Sequence, residues 1–382
     1  MFEFDFSGPG DGPRVGRLTT PHGPIDTPAF MPVGTQATVK GLTGRMLAET
    51  GTQVVLANAY HLLVRPGAEV IEQLGGLHRV MAWDGAVLTD SGGYQVFSLG
   101  AIRRVRDDGV LFANHVDGGE VLLTPQSAMD AQRRLGADLV MALDECVGAD
   151  ATRQQAEQAA RRTAVWARQC LQAHAGGGQM LLAIVQGGMF PDLRRRCVEE
   201  LAAMGFAGYA VGGLSVGEGQ ARMLDVLVPT AAALPADRPR YLMGVGQPAD
   251  ILAAVAAGCD LFDCVLPTRN GRNGLAFAAD GPLRLRNERF KADGRAIEPD
   301  CDCQACARYS RGTLRHLFLA EEMLGPVLVS LHNVRFYQRL MASVRVAVRG
   351  GTFAGFRRQW LARFQAGGPG EGTGDGDGRR PR

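Results

Sequence analysis

Leu261-Phe-Asp-Cys-Val-Leu-Pro-Thr-Arg-Asn-Gly-Arg-Asn-Gly274 begins as an apolar run and ends in a segment too rich in Pro, Gly and Asn to continue as a strand. Its single carboxylate, Asp263, sits where the run breaks, which predicts a strand end facing a pocket. Arg269 and Arg272 follow on a Gly-Asn backbone flexible enough to approach a phosphate or a base closely. A carboxylate beside a cationic loop suggests a polyanionic substrate. Taken alone, the same residues also fit an ordinary loop with a capping Asp and solvated arginines.

Upstream the same theme repeats from Pro28 onward: a short apolar β-like run, a polar or glycine-rich end, then a helical pattern. The runs are Ala29 to Val33, Gln53 to Asn58, Ala86 to Thr89, Leu139 to Leu143, Leu181 to Val185, Gly208 to Val211, Arg240 to Met243 and Leu261 to Val265. A hairpin over Arg103 to His115, turning at Asp107-Asp108-Gly109, interrupts them. Helices are expected from Thr124-Pro125 to Leu135, where an N-cap precedes proline, and from near Ala151, Pro191, Gly217 and Pro248. Eight strands alternating with helices over about 240 residues point to an α/β protein with a closed (β/α)8 TIM barrel. A doubly wound open sheet is the alternative. The barrel is favoured because polar residues recur at many strand ends, whereas an open sheet gathers its site at one switch point.

The chain has 382 residues, enough for such a barrel plus an appendage. Its 41 basic and 39 acidic residues leave a net charge of +2, so affinity for a polyanion must come from a local patch. No run approaches the ~20 apolar residues of a membrane helix, and the N-terminus lacks a basic start with an apolar core. A soluble cytoplasmic protein is expected. Residues 1–267 read as the barrel, 268–325 as an inserted metal-held subdomain, 326–366 as the final barrel helix region, and 367–382 as a disordered glycine-rich tail.

Asp90 in Asp90-Ser91-Gly92-Gly93-Tyr94-Gln95, Asp144, Gln186, Gly212-Gly213-Leu214, Met243 and Asp263 would all face one barrel mouth. Carboxylates sharing a partly dry pocket push their pKa values apart, so that one becomes a nucleophile and another an acid/base. Gln186 donates and accepts, Asp144 accepts, and Gly212-Gly213 can offer backbone N–H groups, a set that fits the edge of a purine. Tyr94 and Met243 could sandwich its faces, although such residues are more often simple packing. The turn Gly244-Val245-Gly246-Gln247-Pro248-Ala249-Asp250 leads into a helix whose free N–H groups make a natural phosphate site. A tight turn is the plainer explanation of it.

Cys301-x-Cys303-x-x-Cys306 with His332 can complete a closed tetrahedral zinc shell, implying a structural Zn2+. Chance buried cysteines or an iron–sulfur site are the competing readings. His332 is preferred to His316 because Pro326 to Leu340 reads as a stable helix.

Together these motifs, with Leu143-Asp-Glu-Cys146, Val185-Gln-Gly-Gly188, Gly212-Gly-Leu-Ser-Val-Gly-Glu218, Tyr241-Leu-Met-Gly-Val-Gly246 and Phe262-Asp-Cys-Val-Leu-Pro-Thr-Arg269, resemble the bacterial tRNA-guanine transglycosylase family. The resemblance runs in order from about Phe4 to Phe364. It implies a (β/α)8 barrel with a structural zinc subdomain, acting in queuosine biosynthesis. Such enzymes exchange guanine at the wobble position of tRNAs with a GUN anticodon, those for Asp, Asn, His and Tyr, and bacterial members insert 7-aminomethyl-7-deazaguanine.

Carried over by motif, Asp263 is the nucleophile on the wobble ribose and Asp90 the general acid/base. Asp144, Gln186 and Gly213 read the base edge beside Ser91, Gly92 and Gly93, while Leu214 offers its carbonyl to the aminomethyl group and Glu218 orients that peptide. Tyr94 and Met243 stack the ring, and Gly244 to Asp250 with Thr268, Arg269, Asn270, Gly271 and Arg272 contact the anticodon loop. The resemblance also implies a homodimer, with the zinc-side helices as a candidate surface. Three other functions fit the sequence less well. A non-catalytic RNA-binding relative would have lost Asp90 or Asp263, a zinc hydrolase needs an open metal position, and an archaeal-type exchanger would carry an added C-terminal RNA-binding domain.

Overall fold

The computed structural model describes residues 2–93, 103–114, 116, 118–174, 178–215 and 217–366. Tyr94, residues 175–177 and the tail 367–382 lie outside them.

The chain opens with an antiparallel sheet of β1 (Glu3–Ser7), β2 (Val15–Thr20) and β3 (Gly23–Thr27), in the order β1-β2-β3. The sequence analysis assigned no strand here. Eight parallel strands follow: β4 (Ala29–Pro32), β5 (Val54–Ala57), β6 (Ala86–Thr89), then, beyond a second antiparallel sheet of β7 (Arg103–Arg106), β8 (Gly109–Ala113) and β9 (Glu120–Leu123), β10 (Leu139–Met141), β11 (Met180–Val185), β12 (Gly208–Val211), β13 (Arg240–Leu242) and β14 (Leu261–Cys264). Their order is β4-β14-β13-β12-β11-β10-β6-β5. A bridge from Val33 to Leu56, with Gly34 N donating to Leu56 O at 2.6 Å, joins β5 back to β4. The expected barrel is therefore present, and the expected hairpin carries a third strand, β9.

Alternation along the strands builds two apolar layers. Met31, Leu56, Leu88, Met141, Leu182, Ile184 and Tyr241 point into the barrel, whereas Phe30, Val55, Val87, Val140, Val185, Val211 and Phe262 face the helices. Leu18 and Ile25 of the N-terminal sheet join the inner layer, so that sheet caps the N-terminal end of the barrel. Each such side chain contributes about 1.5–3 kcal/mol when fully buried. The cap also carries Arg14, buried against Asp260, which precedes β14; Arg14 Nε donates to Asp260 Oδ1 at 3.0 Å and Arg240 N donates to Oδ2 at 2.7 Å.

Local signals account for the helix starts. Thr124 Oγ1 accepts from Ser127 N at 3.1 Å while Thr124 N donates to Ser127 Oγ, and the helix Pro125–Leu135 ends at Gly136 in the left-handed region. Thr152 caps Arg153–Ala173 in the same way.

Two expectations require correction. The Gly-Asn loop after β14 is a short helix, Leu266–Arg272, with Pro267 in its first turn. Its glycine serves close packing: a Cβ at Gly271 would lie 2.6 Å from the backbone of Ser330 on the long helix Leu324–Arg349. The inserted region 268–325, for which the sequence offered no helix assignment, also holds Gln304–Arg308 and Arg311–Leu319. Tertiary packing outweighs weak local propensity in both places.

Candidate active site and metal centre

At the C-terminal ends of the strands lies a cavity of about 580 Å³. Asp90, Ser91, Asp144, Gln186, Gly213, Leu214, Met243 and Asp263 all line it, joined by Gly244, Gly246, Gln247, Asp250 and Arg269. The strand-end residues singled out in the sequence are thus brought together.

Asp263 is buried on β14, and its Oδ1 accepts from Tyr241 Oη at 2.6 Å and from Gly244 N at 2.7 Å. Both donors grip one oxygen and leave Oδ2 outside that pair. Burial raises the Asp263 carboxyl above its ordinary value, with the Tyr241 and Gly244 hydrogen bonds opposing the shift. The Tyr241 phenol is pushed well up by burial and by the neighbouring carboxylate, so it remains a donor at neutral pH.

Asp90, just beyond β6, is held through both oxygens: Ala59 N donates to Oδ1 at 2.8 Å and Asn58 Nδ2 donates to Oδ2.

Asp144 accepts from Ser91 Oγ at 2.8 Å on Oδ1 and from Gln186 Nε2 at 2.8 Å on Oδ2, and Gly93 N donates in turn to Ser91 Oγ at 3.1 Å. Since a carboxylate accepts from the Gln186 amide nitrogen, Oε1 is turned the other way; it is buried with no hydrogen-bond partner among the described residues. Gly213 sits beside it at φ +65°, where a Cβ would meet that oxygen at 2.5 Å. Burial raises the Asp144 carboxyl. Asp144, whose two oxygens each accept one hydrogen bond and can take another, and Gln186 Oε1, which waits for a donor, can together recognise a heterocycle rich in N–H groups.

Glu218 Oε1 accepts from Ser215 N, which fixes the Leu214–Ser215 peptide at the cavity wall. Around the mouth Gly244, Gln247 and Arg269 are exposed, whereas Val245, Pro248, Thr268 and Gly271 are buried. Ala249 and Asn270 are half-buried, as is Arg272, whose Nη1 is buried without a partner among the described residues. Gln247 and Arg269 are the most exposed side chains here, Asp250 also lines the cavity, and Gly244 offers backbone.

The cysteine cluster is also assembled. Cys301, Cys303 and Cys306 Sγ lie 3.7, 3.7 and 3.3 Å from His332 Nδ1, and all four residues are buried. Tetrahedral bonds of about 2.3 Å to sulfur and 2.0–2.1 Å to nitrogen require S···N separations of roughly 3.6 Å, so the set fits a four-coordinate ion. His332 Nε2 lies 2.6 Å from Phe277 O, to which it donates, leaving Nδ1 as a lone pair aimed at the sulfurs. His316, the other histidine weighed, is not part of this group.

A family model described as Queuine tRNA-ribosyltransferase matches residues 10–366. The chain belongs to that family. Curated relatives of the same name include proteins from Solidesulfovibrio magneticus, 51% identical over 94% of this chain and 97% of the relative, from Thiobacillus denitrificans, 50% over 95% and 98%, and from Caulobacter vibrioides, 48% over 96% and 99%.

Several residues that build the cavity carry no signal in the sequence. Asn58 and His61 line or support it from the β5 end. Arg194, fully buried, donates through Nε to Gly188 O at 2.8 Å and through Nη2 to Gly212 O at 3.0 Å, tying together two glycine turns. Burial lowers its pKa to about 10, so it stays charged at neutral pH. Tyr337 Oη donates to Gly246 O at 2.5 Å from the same helix that carries His332. An isolated Arg or Tyr inside a helical pattern gives no hint of such a role.

Proposed function

We propose that this chain exchanges guanine at the wobble position of GUN-anticodon tRNAs for 7-aminomethyl-7-deazaguanine. Family membership makes it a pentosyltransferase of the tRNA-guanine transglycosylase class acting in queuosine synthesis. One observation carries the mechanism: two buried carboxylates, from the ends of β6 and β14, line one cavity, and Asp263 is gripped through Oδ1 alone.

Asp263 Oδ2 attacks the anomeric carbon as the bond to guanine breaks and Asp90 gives a proton to the leaving guanine nitrogen, leaving a glycosyl ester on Asp263 and an ionised Asp90. Asp90 then takes the ring N–H proton of the incoming base, whose nitrogen displaces Asp263 from the same carbon. Two displacements retain configuration and need neither redox cofactor nor external energy. Closure of the cavity around the base keeps water from the ester.

Asp144, Gln186 and Gly213 read the base edge, the Leu214 carbonyl accepts from the aminomethyl group, and Met243 and Tyr94 stack the ring of the base. Gly244, Gln247 and Arg269 meet the anticodon loop, whose base must be splayed out to enter. Cys301, Cys303, Cys306 and His332 hold one structural Zn2+, which organises residues 268–325 as an insertion between the barrel, 1–267, and its final helices, 326–366. Exposed Leu319, Met323 and Leu324 on that side support a homodimer, to be checked by sedimentation. Among the described residues no helix is long and apolar enough to cross a membrane, in keeping with work on tRNA in the cytoplasm.

The test is base exchange. Metal-loaded protein is incubated with tRNA labelled in its wobble guanine, unlabelled 7-aminomethyl-7-deazaguanine is added, and label is lost from RNA only when Asp90 and Asp263 are both present. If no label leaves, the chain binds tRNA without catalysing exchange. Cys303→Ser loses zinc and thermal stability together; full metal occupancy in that variant contradicts the ligand set.

A further inference from the structure

At the opposite, N-terminal end of the barrel three metal-binding side chains converge that the proposed reaction does not use. Asp138, buried just before β10, faces His22 Nδ1 at 2.7 Å through Oδ1 and His78 Nε2 at 3.1 Å through Oδ2. One ligand atom from each residue lies within 4.8 Å of the others. Asp138 is rigidly held: Val87 N donates to its Oδ2 at 2.9 Å, its own N–H donates to Val87 O, and its carbonyl accepts from Met180 N. His78 is fixed on the helix Gly76–Met81 and largely covered. His22 sits in the two-residue turn between β2 and β3, with its side chain 40% exposed.

We propose that His22, His78 and Asp138 form a second metal site, for a late first-row divalent ion such as Zn2+ or Co2+, which fastens the N-terminal cap to the barrel. Metal bonds of about 2.0–2.2 Å at tetrahedral angles place nitrogen and oxygen ligands roughly 3.3–3.6 Å apart, so the two pairs, hydrogen-bonded at 2.7 and 3.1 Å without an ion, must open by about half an ångström to admit one. Two imidazoles and one carboxylate select such ions over Mg2+ and Ca2+, which prefer all-oxygen shells. The two rings now stack with centroids 3.6 Å apart and planes 18° from parallel. The exposed His22 ring therefore tilts out of the stack to aim its lone pair at the ion, and water fills the remaining positions. This site is open and exchangeable, unlike the closed cysteine shell.

The experiment uses untagged full-length protein already holding one equivalent of zinc in the cysteine site. Titration with Zn2+ or Co2+ should load a second equivalent per chain, counted by elemental analysis, and raise the melting temperature as metal is added. His22→Ala and His78→Ala should each weaken the second equivalent at least as much as the roughly 10–100-fold typical of losing a supporting partner, with the first equivalent retained. Mg2+ should produce no shift. The proposal is overturned if saturating Zn2+ and Co2+ leave one metal per chain, in which case the cluster is a hydrogen-bonded clamp only. It is equally overturned if the second equivalent survives in both variants.

Discussion

The two ends of this barrel carry aspartates under opposite conditions. At the N-terminal end Asp260 is matched with the Arg14 guanidinium and Asp138 with two imidazoles, and the cap sheet covers both. At the C-terminal end Asp144 and Asp263 are just as buried, yet their donors are a hydroxyl, an amide, a phenol and a backbone N–H, with no ion pair to either among the described residues. A buried carboxylate matched with a guanidinium fixes structure, whereas one solvated only by neutral dipoles keeps its affinity for a proton or a carbon centre. Position along the strand, not burial, separates scaffold from chemistry.

The sharpest way to break this contrast is Asp263→Ala. It should lower exchange on the order of 10⁴-fold or more and abolish the RNA adduct on a denaturing gel, while melting temperature holds or rises. An adduct that persists removes Asp263 from the nucleophile's role. Asp263→Asn is less informative because its amide can hydrolyse.

Next in size is Arg14→Met, which strands Asp260. Breaking such a buried pair costs about 3–5 kcal/mol of stability, read by urea unfolding, and kcat of the folded fraction should not change. A loss of kcat at full folding would mean that the bottom of the barrel is coupled to its mouth.

Asp144→Asn comes third. Losing a charged acceptor for the base costs about 1–3 kcal/mol, expected as a raised KM for the deazaguanine with the tRNA KM unchanged. Equal effects on both substrates would move Asp144 from base recognition to general support.

The smallest effect is a difference in pH dependence. Burial raises Asp144 in the folded state, so the unfolded chain loses that proton first, and stability falls as pH rises from about 3.9 through the folded value. For Asp138 burial also pushes upward, but hydrogen bonds from His78, His22 and Val87 N hold the folded value below the unfolded one. Its contribution is present above about pH 3.9 and disappears as pH falls through the folded value. Unfolding curves of Asp144→Asn and Asp138→Asn should therefore depart from the parent with opposite slopes. Slopes of one sign would undo the comparison.

What could be read beforehand follows the range of the interactions. Asp90, Gln186 and Asp263 were legible because each ends a local apolar run, and the cysteine spacing because a tetrahedral shell needs little more than close ligands. Arg194 and Tyr337 were not, since their partners, Gly212 O and Gly246 O, lie 18 and 91 residues away in the chain. The helix Leu266–Arg272 was hidden by its glycine and asparagine, whose acceptability depends on how closely the Ser330 backbone approaches. The N-terminal sheet did leave a trace: Phe2-Glu-Phe-Asp-Phe6 alternates with the period of a strand.

The ring of strands is not equally fastened all round. Neighbours such as β5 and β6, or β14 and β4, share four paired residues, but β4 and β5 meet at the single Val33–Leu56 bridge. That seam runs directly into Thr35 and Asn58 at the cavity wall. Fraying at that seam would widen the entrance to the cavity from one side. Deuterium should enter the ring first at the Gly34 amide, and a base lodged in the cavity should slow its entry.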